Sequence, residues 1–199
     1  MLTVIGKATS INVRKVLWTC VALELPFERR DWQESDAALN PNRMVPVLLD
    51  GDLALWESNT ICRYLANRHG DGALLPRAAA ARARVEQWMD WQATELNTAW
   101  RYAFMGLVRA SPAHQDPAQI AAGVDAWNRH VGLLDAHLGQ GSPYVAGDAF
   151  SLADIVLGLS VNRWRMTPMA RPELPHVAAW TARLSAQPGF ADWCGNGIA

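Results

Sequence analysis

The sequence is short of lysine, of cysteine and of charged runs, and each shortage removes a class of function. Of 18 cationic residues only Lys7 and Lys15 are lysine, the others being arginine, and 19 acidic residues bring the formal net charge to -1. Without a basic run, the electrostatic binding that holds proteins on nucleic acid has little to draw on. Cys20, Cys62 and Cys194 are odd in number, widely spaced and form no CxxC, so buried or free thiols in a reducing compartment are expected. No window approaches 18 uninterrupted apolar residues, and Met1 to Gly6 lacks the basic, long apolar and small-residue order of a secretory signal. A cytoplasmic, non-membrane protein is the expectation. There is no GxSxG for a serine hydrolase. The five histidines (69, 114, 130, 137, 176) show no metal-ligand spacing beyond His130 and His137 on one helix face, so no metal is expected.

What is present describes a folded chain. Half of the 199 residues are hydrophobic and 19% are charged, and the length suits one domain or two small ones. Ten Trp stand against three Tyr and four Phe. Trp serves both cores and ligand sites, so its abundance alone does not say where a ligand sits.

Two periodicities divide the chain. Leu2–Ile5 is a short β-prone run; from Asn12 onward Val13, Val16, Leu17, Cys20, Val21 and Leu25 recur at helical steps until Pro26. Phe27 to Trp32 reads as a second strand, parallel to the first if both share a sheet. After a polar stretch, Asp50-Gly51 between two apolar runs predicts a hairpin, and Ser58 opens a helix ending near Gly70. Beyond Pro76 strand signals vanish. Arg77 to Arg109 predicts one long helix, with others over about Pro117–Leu138, from Ser151, and around Pro175–Ala186. The expected architecture is a βαβ-ββα domain over residues 1–76 and an all-α domain over 83–199.

Three segments carry candidate chemistry. Ser10 and Asn12 lie between a strand's C-terminal end and a helix N-terminus, where open α/β folds bind ligands, though either side chain also suits a plain helix cap. Val45-Pro46-Val47 places a proline before a strand, as an ordinary edge residue or as a cis bond that leaves Val45's backbone free to pair. Glu57-Ser58 puts an acid and a hydroxyl at a helix start, where Ser58 suits the N-cap and the pair fits a zwitterionic ligand end.

In order, these stretches resemble the glutathione transferase family, specifically its bacterial members with an S-x-N-x-R-K-V-L-W motif. The resemblance is carried by Ser10-Ile11-Asn12-Val13-Arg14-Lys15-Val16-Leu17-Trp18, by Asn40 to Leu48, by Leu55 to Leu65, and by Ser151-Leu152-Ala153-Asp154-Ile155. It implies a thioredoxin-like α/β N-terminal domain, an all-α C-terminal domain, glutathione as co-substrate and a homodimer. Position by position, it implies that Ser10 stabilises the glutathione thiolate with Asn12 beside it. Val45, before a cis-Pro46, would pair with the cysteinyl unit, and Glu57 and Ser58 would hold the γ-glutamyl end. Many members place a Lys or Gln near Arg43 or Met44 to reach the glycyl carboxylate; Met44 has no charge, so Arg43 is assigned.

These residue types suit thiol activation. A free thiol of pKa about 8.5 is mostly protonated at neutral pH, and lowering it by about two units takes roughly 2.7 kcal/mol. A hydroxyl bonded to a charged acceptor supplies about 1.5–3 kcal/mol, and a helix N-terminus about 0.3–1 kcal/mol. The expected pocket for a small hydrophobic electrophile uses Trp100, Arg101, Phe104 and Met105, faced by Arg163, Trp164 and Met166, or else these residues are inter-helix core. Arginine there suits an anionic group or developing negative charge. Trp88 and Trp91 fall where the family makes dimer contacts, while Trp32, Trp127, Trp180 and Trp193 default to core. Conjugation is the expected activity; glutathione-dependent disulfide or peroxide reduction and a non-catalytic binding module are the alternatives. Ser151 and Asp154 read as a capping box, so Asp154→Ala is expected to cost about 1 kcal/mol of stability without affecting glutathione affinity.

Overall fold

The computed structural model describes residues 1–199. Strand β1 (Leu2–Ile5) leads into α1 (Ile11–Ala22), β2 (Phe27–Arg30), β3 (Val47–Asp50), β4 (Leu53–Trp56) and α2 (Ser58–His69). The sheet order is β2-β1-β3-β4; β1 pairs parallel with β2 because α1 carries the chain back, and antiparallel with β3, which closes the hairpin with β4. Val4 lies opposite Leu48, and both are fully buried with Val16, Ile61 and Leu65 of the covering helices α1 and α2. This is the expected thioredoxin-like arrangement.

From Ala79 onward the chain is helical: α3 (Ala79–Trp91), α4 (Asn97–Leu107), α5 (Pro117–Leu138), α6 (Leu152–Met166) and α7 (Pro175–Leu184). Helix α6 is its axis, with every residue from Leu152 to Trp164 buried. The two halves meet on α1. Trp18 is fully buried, its ring 5.9 Å from Phe150 and 5.8 Å from Phe190, and its indole N–H donates to Pro188 O at 2.9 Å. Gly158 and Gly189 let this indole in: a Cβ on Gly158 would stand 3.3 Å from Trp18 Cζ3, and one on Gly189, already at φ +80°, would stand 2.9 Å from its Cδ1.

Three expectations need correction, and one stretch gains an element. β2 ends at Arg30 rather than Trp32, where Arg30 turns to pair with Asp36 at 2.6 Å and the chain bends away. The polar stretch after it contains a 3₁₀ helix, Glu34–Leu39. Ser58 is the first helical residue of α2 and not its N-cap, because Glu57 C=O accepts the first intrahelical bond, from Ile61 N–H at 2.9 Å. The Arg77–Arg109 helix is interrupted by a π-helical turn, Gln92–Leu96, and a second such turn covers Phe190–Cys194. Hydrophobic spacing registers a helix but not one extra residue in its turn.

Candidate active site

The β1–α1 loop approaches the loop before β3 closely because Gly6 has no side chain. A Cβ there would stand 2.5 Å from Val13 Cγ2 and 2.9 Å from Val45 Cβ, and φ is +144°. The first bond of the α1 ladder runs from Arg14 N–H to Ser10 C=O at 2.9 Å, so Ser10 is the N-cap by backbone position. Its hydroxyl makes no cap bond, and the N–H groups of Ile11, Asn12 and Val13 have no intrahelical acceptor. Across the gap the Val45–Pro46 bond is cis, and neither the N–H nor the C=O of Val45 pairs with the backbone.

Ser10, Asn12 and Val45 form one side of a cavity of about 760 Å³ whose opposite side is α4. Trp100, Arg101, Phe104 and Met105 line it as expected, together with Arg43, Lys7, Arg109 and Arg163. Its volume falls within the range of small-molecule sites, about 300–1,000 Å³. Trp100 and Phe104 meet edge to face with ring centroids 5.3 Å apart, and Asn97 Oδ1 fixes the indole by accepting its N–H at 3.0 Å. Asn97 also accepts from Gln92 Nε2 at 2.9 Å, and Gln92 Oε1 accepts from Lys15 Nζ at 2.7 Å. The π-helical turn thus ties the cavity wall to a buried lysine on α1. Lys15 also donates to Asn59 Oδ1 at 3.3 Å, and burial lowers its pKa to about 8, with the nearby Cys62 thiol opposing the shift.

Trp164 does not reach this cavity. Consecutive helical residues point about 100° apart, so α6 turns Arg163 toward the cavity and Trp164 away. Its indole N–H donates to Asn128 Oδ1 at 2.8 Å, and the ring borders a separate cavity of about 710 Å³ between α6 and α7, beside Met166. That cavity contains neither Ser10 nor any group of the β1–α1 loop. Conversely Trp32, expected in the core, lines the Ser10 cavity. It sits just past β2, where strand periodicity no longer assigns a face.

Pro46, Glu57 and Ser58 stand outside the cavity walls; Pro46 and Ser58 are buried and Glu57 is exposed. Glu57 holds φ +71°, a left-handed conformation unusual for glutamate, at the point where β4 turns into α2. Arg43 is ion-paired with Glu34, so its charge is already partly answered. The two α5 histidines have structural partners: His130 Nδ1 lies 2.7 Å from Ala126 O, and His137 Nε2 lies 2.7 Å from Val145 O. Trp88 and Trp91 meet edge to face at 5.1 Å and pack on His137 and His130, respectively, which leaves both indoles half-buried within the chain.

Residues 4–73 match the model of the glutathione S-transferase N-terminal domain, and residues 117–183 that of the C-terminal domain. Glutathione S-transferase GstB of Escherichia coli K12 is 38% identical over 198 residues, 94% of this chain and 95% of the relative. The chain belongs to the glutathione S-transferase family. Among the family's solved structures, the theta class enzyme of Xanthomonas axonopodis pv. citri with glutathione bound superposes with a TM-score of 0.89 at 39% identity, over 97% of this chain and 96% of that one. Another family member, glutathione S-transferase 3 of Zea mays, is 30% identical over 94% of this chain and 86% of its own length. Elongation factor 1-gamma 2 of Oryza sativa is 31% identical over 79% of this chain, which spans 38% of that protein. No helix is long and apolar enough to cross a membrane.

Proposed function

We propose that the chain conjugates the thiolate of glutathione to a small hydrophobic electrophile, with residues 1–76 holding glutathione and 83–199 forming most of the electrophile's wall. The observation that carries this is Ser10: it lines the cavity at the N-terminus of α1 with its hydroxyl free of any cap bond. That hydroxyl donates to the thiolate, the α1 N–H groups add positive partial charge, and Asn12 is the second polar neighbour of the sulfur. The thiol proton leaves to solvent, the sulfur attacks the electrophilic carbon, and the leaving group departs with its electron pair.

The rest of the tripeptide lies along the N-terminal half. Val45's unpaired peptide bonds to the cysteinyl unit in the manner of an added strand, with Pro46 setting its direction. An extended tripeptide spans about 10 Å, enough to lead away from Ser10 toward the start of α2. There Glu57 accepts the γ-glutamyl ammonium, while Ser58's hydroxyl and the free N–H groups of the first helical turn take the carboxylate. Arg43 meets the glycyl carboxylate, exchanging its contact with Glu34.

A cytoplasmic homodimer is part of this reading. Cys20, Cys62 and Cys194 are free and buried, as suits a reducing compartment, and Trp56 and Leu133 are large apolar side chains left exposed. Their burial also keeps these thiols from acting in disulfide exchange, so any reductase activity would run through glutathione itself. Titrating glutathione while following thiolate absorbance tests the mechanism. Bound glutathione should ionise well below its free pKa, and Ser10→Ala should raise the bound pKa by about 1–2 units. Failure of glutathione to bind refutes the function; an unchanged pKa in the variant refutes the role of Ser10.

A further inference from the structure

The cavity facing Ser10 is lined by five cations, Lys7, Arg43, Arg101, Arg109 and Arg163, and by no aspartate or glutamate. Arg163 is the unusual one. Its residue is 4% exposed, it forms no ion pair, and its Nε is buried without a partner. Its guanidinium carbon lies 4.2 Å from the Phe104 ring centroid and 4.7 Å from that of Trp100, so it is sandwiched against the aromatic wall where an electrophile would lie. Arg43 differs in having Glu34 as a partner.

A buried guanidinium without a carboxylate is costly, and its surroundings add to the cost. Burial lowers the pKa of Arg163 to about 9, and the nearby Arg14 and Arg109 charges push the same way. An anion arriving in the cavity would answer the guanidinium charge and relieve the repulsion at once. Purely apolar electrophiles need none of this, since Trp100, Phe104 and Met105 already supply a flat apolar wall.

From this arrangement we infer that the second substrate is an aromatic electrophile bearing a carboxylate or sulfonate, its ring against Trp100 and Phe104 and its anionic group on Arg163. The inference rests on the conjugation reading above and narrows its substrate class. In the reaction tested below, the glutathione sulfur forms a bond to the ring carbon bearing chlorine. Negative charge passes through the ring and its nitro groups, and chloride leaves with the bonding pair, the thiol proton having gone to solvent.

The probe pair is 4-chloro-3,5-dinitrobenzoate and its methyl ester, which share a shape and differ in charge. For each, kcat/KM at saturating glutathione is divided by the spontaneous rate with glutathione. The wild type should favour the acid by about tenfold or more, the range of a hydrogen bond to a charged group, with the preference shrinking as salt is added. Arg163→Met should bring the acid-to-ester ratio close to one, and Arg163→Lys should restore part of it. A wild type that handles acid and ester alike overturns the inference without needing any variant to fold, and leaves conjugation standing. An Arg163→Met enzyme that keeps the ratio, or that loses only glutathione affinity, overturns the placement of the anion on Arg163. Glutathione binding with no turnover of either probe counts against the conjugation reading itself, and this inference falls with it.

Discussion

Lys15 shows how much one side chain can make of its surroundings. It is 2% exposed and has only neutral hydrogen-bond partners, Gln92 and Asn59; Glu57 lies near enough to favour its charge, while Arg163 opposes it. Its pKa is about 8 in the folded chain against an ordinary 10.5, so between these values the unfolded chain binds the proton more strongly. Stability therefore rises with pH across that window, by about 3 kcal/mol from this residue alone. Denaturant unfolding of wild type and Lys15→Met from about pH 8 to about pH 10.5 checks this: the wild type should gain on the variant as pH rises. A constant difference would mean that folding does not lower the pKa of Lys15. Charge and burial of this kind were not legible in the sequence, where Lys15 was one letter of a motif. That Ser10, Asn12 and Val45 come together at one cavity was legible because loop chemistry is local. The choice between Arg163 and Trp164 depended on the rotation of α6, which packing decides, and only the structure turns the arginine to the cavity.

At the scale of the element, α6 shows a cap that became a hub. The capping box at Ser151 and Asp154 was readable from spacing, and Asp154 Oδ2 accepts from the Ser151 N–H and hydroxyl, both at 2.9 Å. Its other oxygen accepts from Val145 N–H at 3.0 Å and from the Trp180 indole at 2.9 Å. The carboxylate is fully buried, and burial raises its pKa while the four donors oppose that shift. The expectation of about 1 kcal/mol for a lost cap is thus too small. Asp154→Ala strands buried donors on three segments, and roughly 3–5 kcal/mol of unfolding free energy should be lost. Glutathione affinity of the folded variant should stay at the wild-type value by calorimetric titration, since Asp154 is remote from the Ser10 cavity; a weaker affinity would give α6 a part in binding. Spacing could not reveal Val145 and Trp180 as partners, because they lie nine and 26 residues away. For the same reason the π-helical turn at Gln92–Leu96 escaped the helical pattern: its Gln92 accepts from Lys15, 77 residues away on α1.

At the scale of the molecule, the Ser10 cavity exists only while the two halves stay in register, because Ser10, Asn12 and Val45 come from one and Trp100, Phe104 and Arg163 from the other. Trp18 holds that register. It closes the S-x-N-x-R-K-V-L-W motif that Ser10 opens, so the hydroxyl at the cavity and the indole that packs α1 against the helical half belong to one helix and its cap. Arg14, four residues earlier, reinforces it by donating to Asn196 Oδ1 at 3.1 Å and Ile198 O at 3.0 Å, fastening the C-terminal segment over α1. A shared interface of this kind should make the halves unfold together, and calorimetry of the wild type should give one transition with equal calorimetric and van't Hoff enthalpies. Trp18→Ala empties a site enclosed by Phe150, Phe190 and two glycines and should cost about 3–5 kcal/mol. If the indole sets the register, the folded variant should also lose electrophile turnover more than glutathione affinity, since the proposed function assigns glutathione's contacts to the N-terminal half and the electrophile's wall to the other. Equal loss of both would mean that Trp18 supports the N-terminal half alone, and two separate melting transitions in the wild type would remove the premise that the halves share one core.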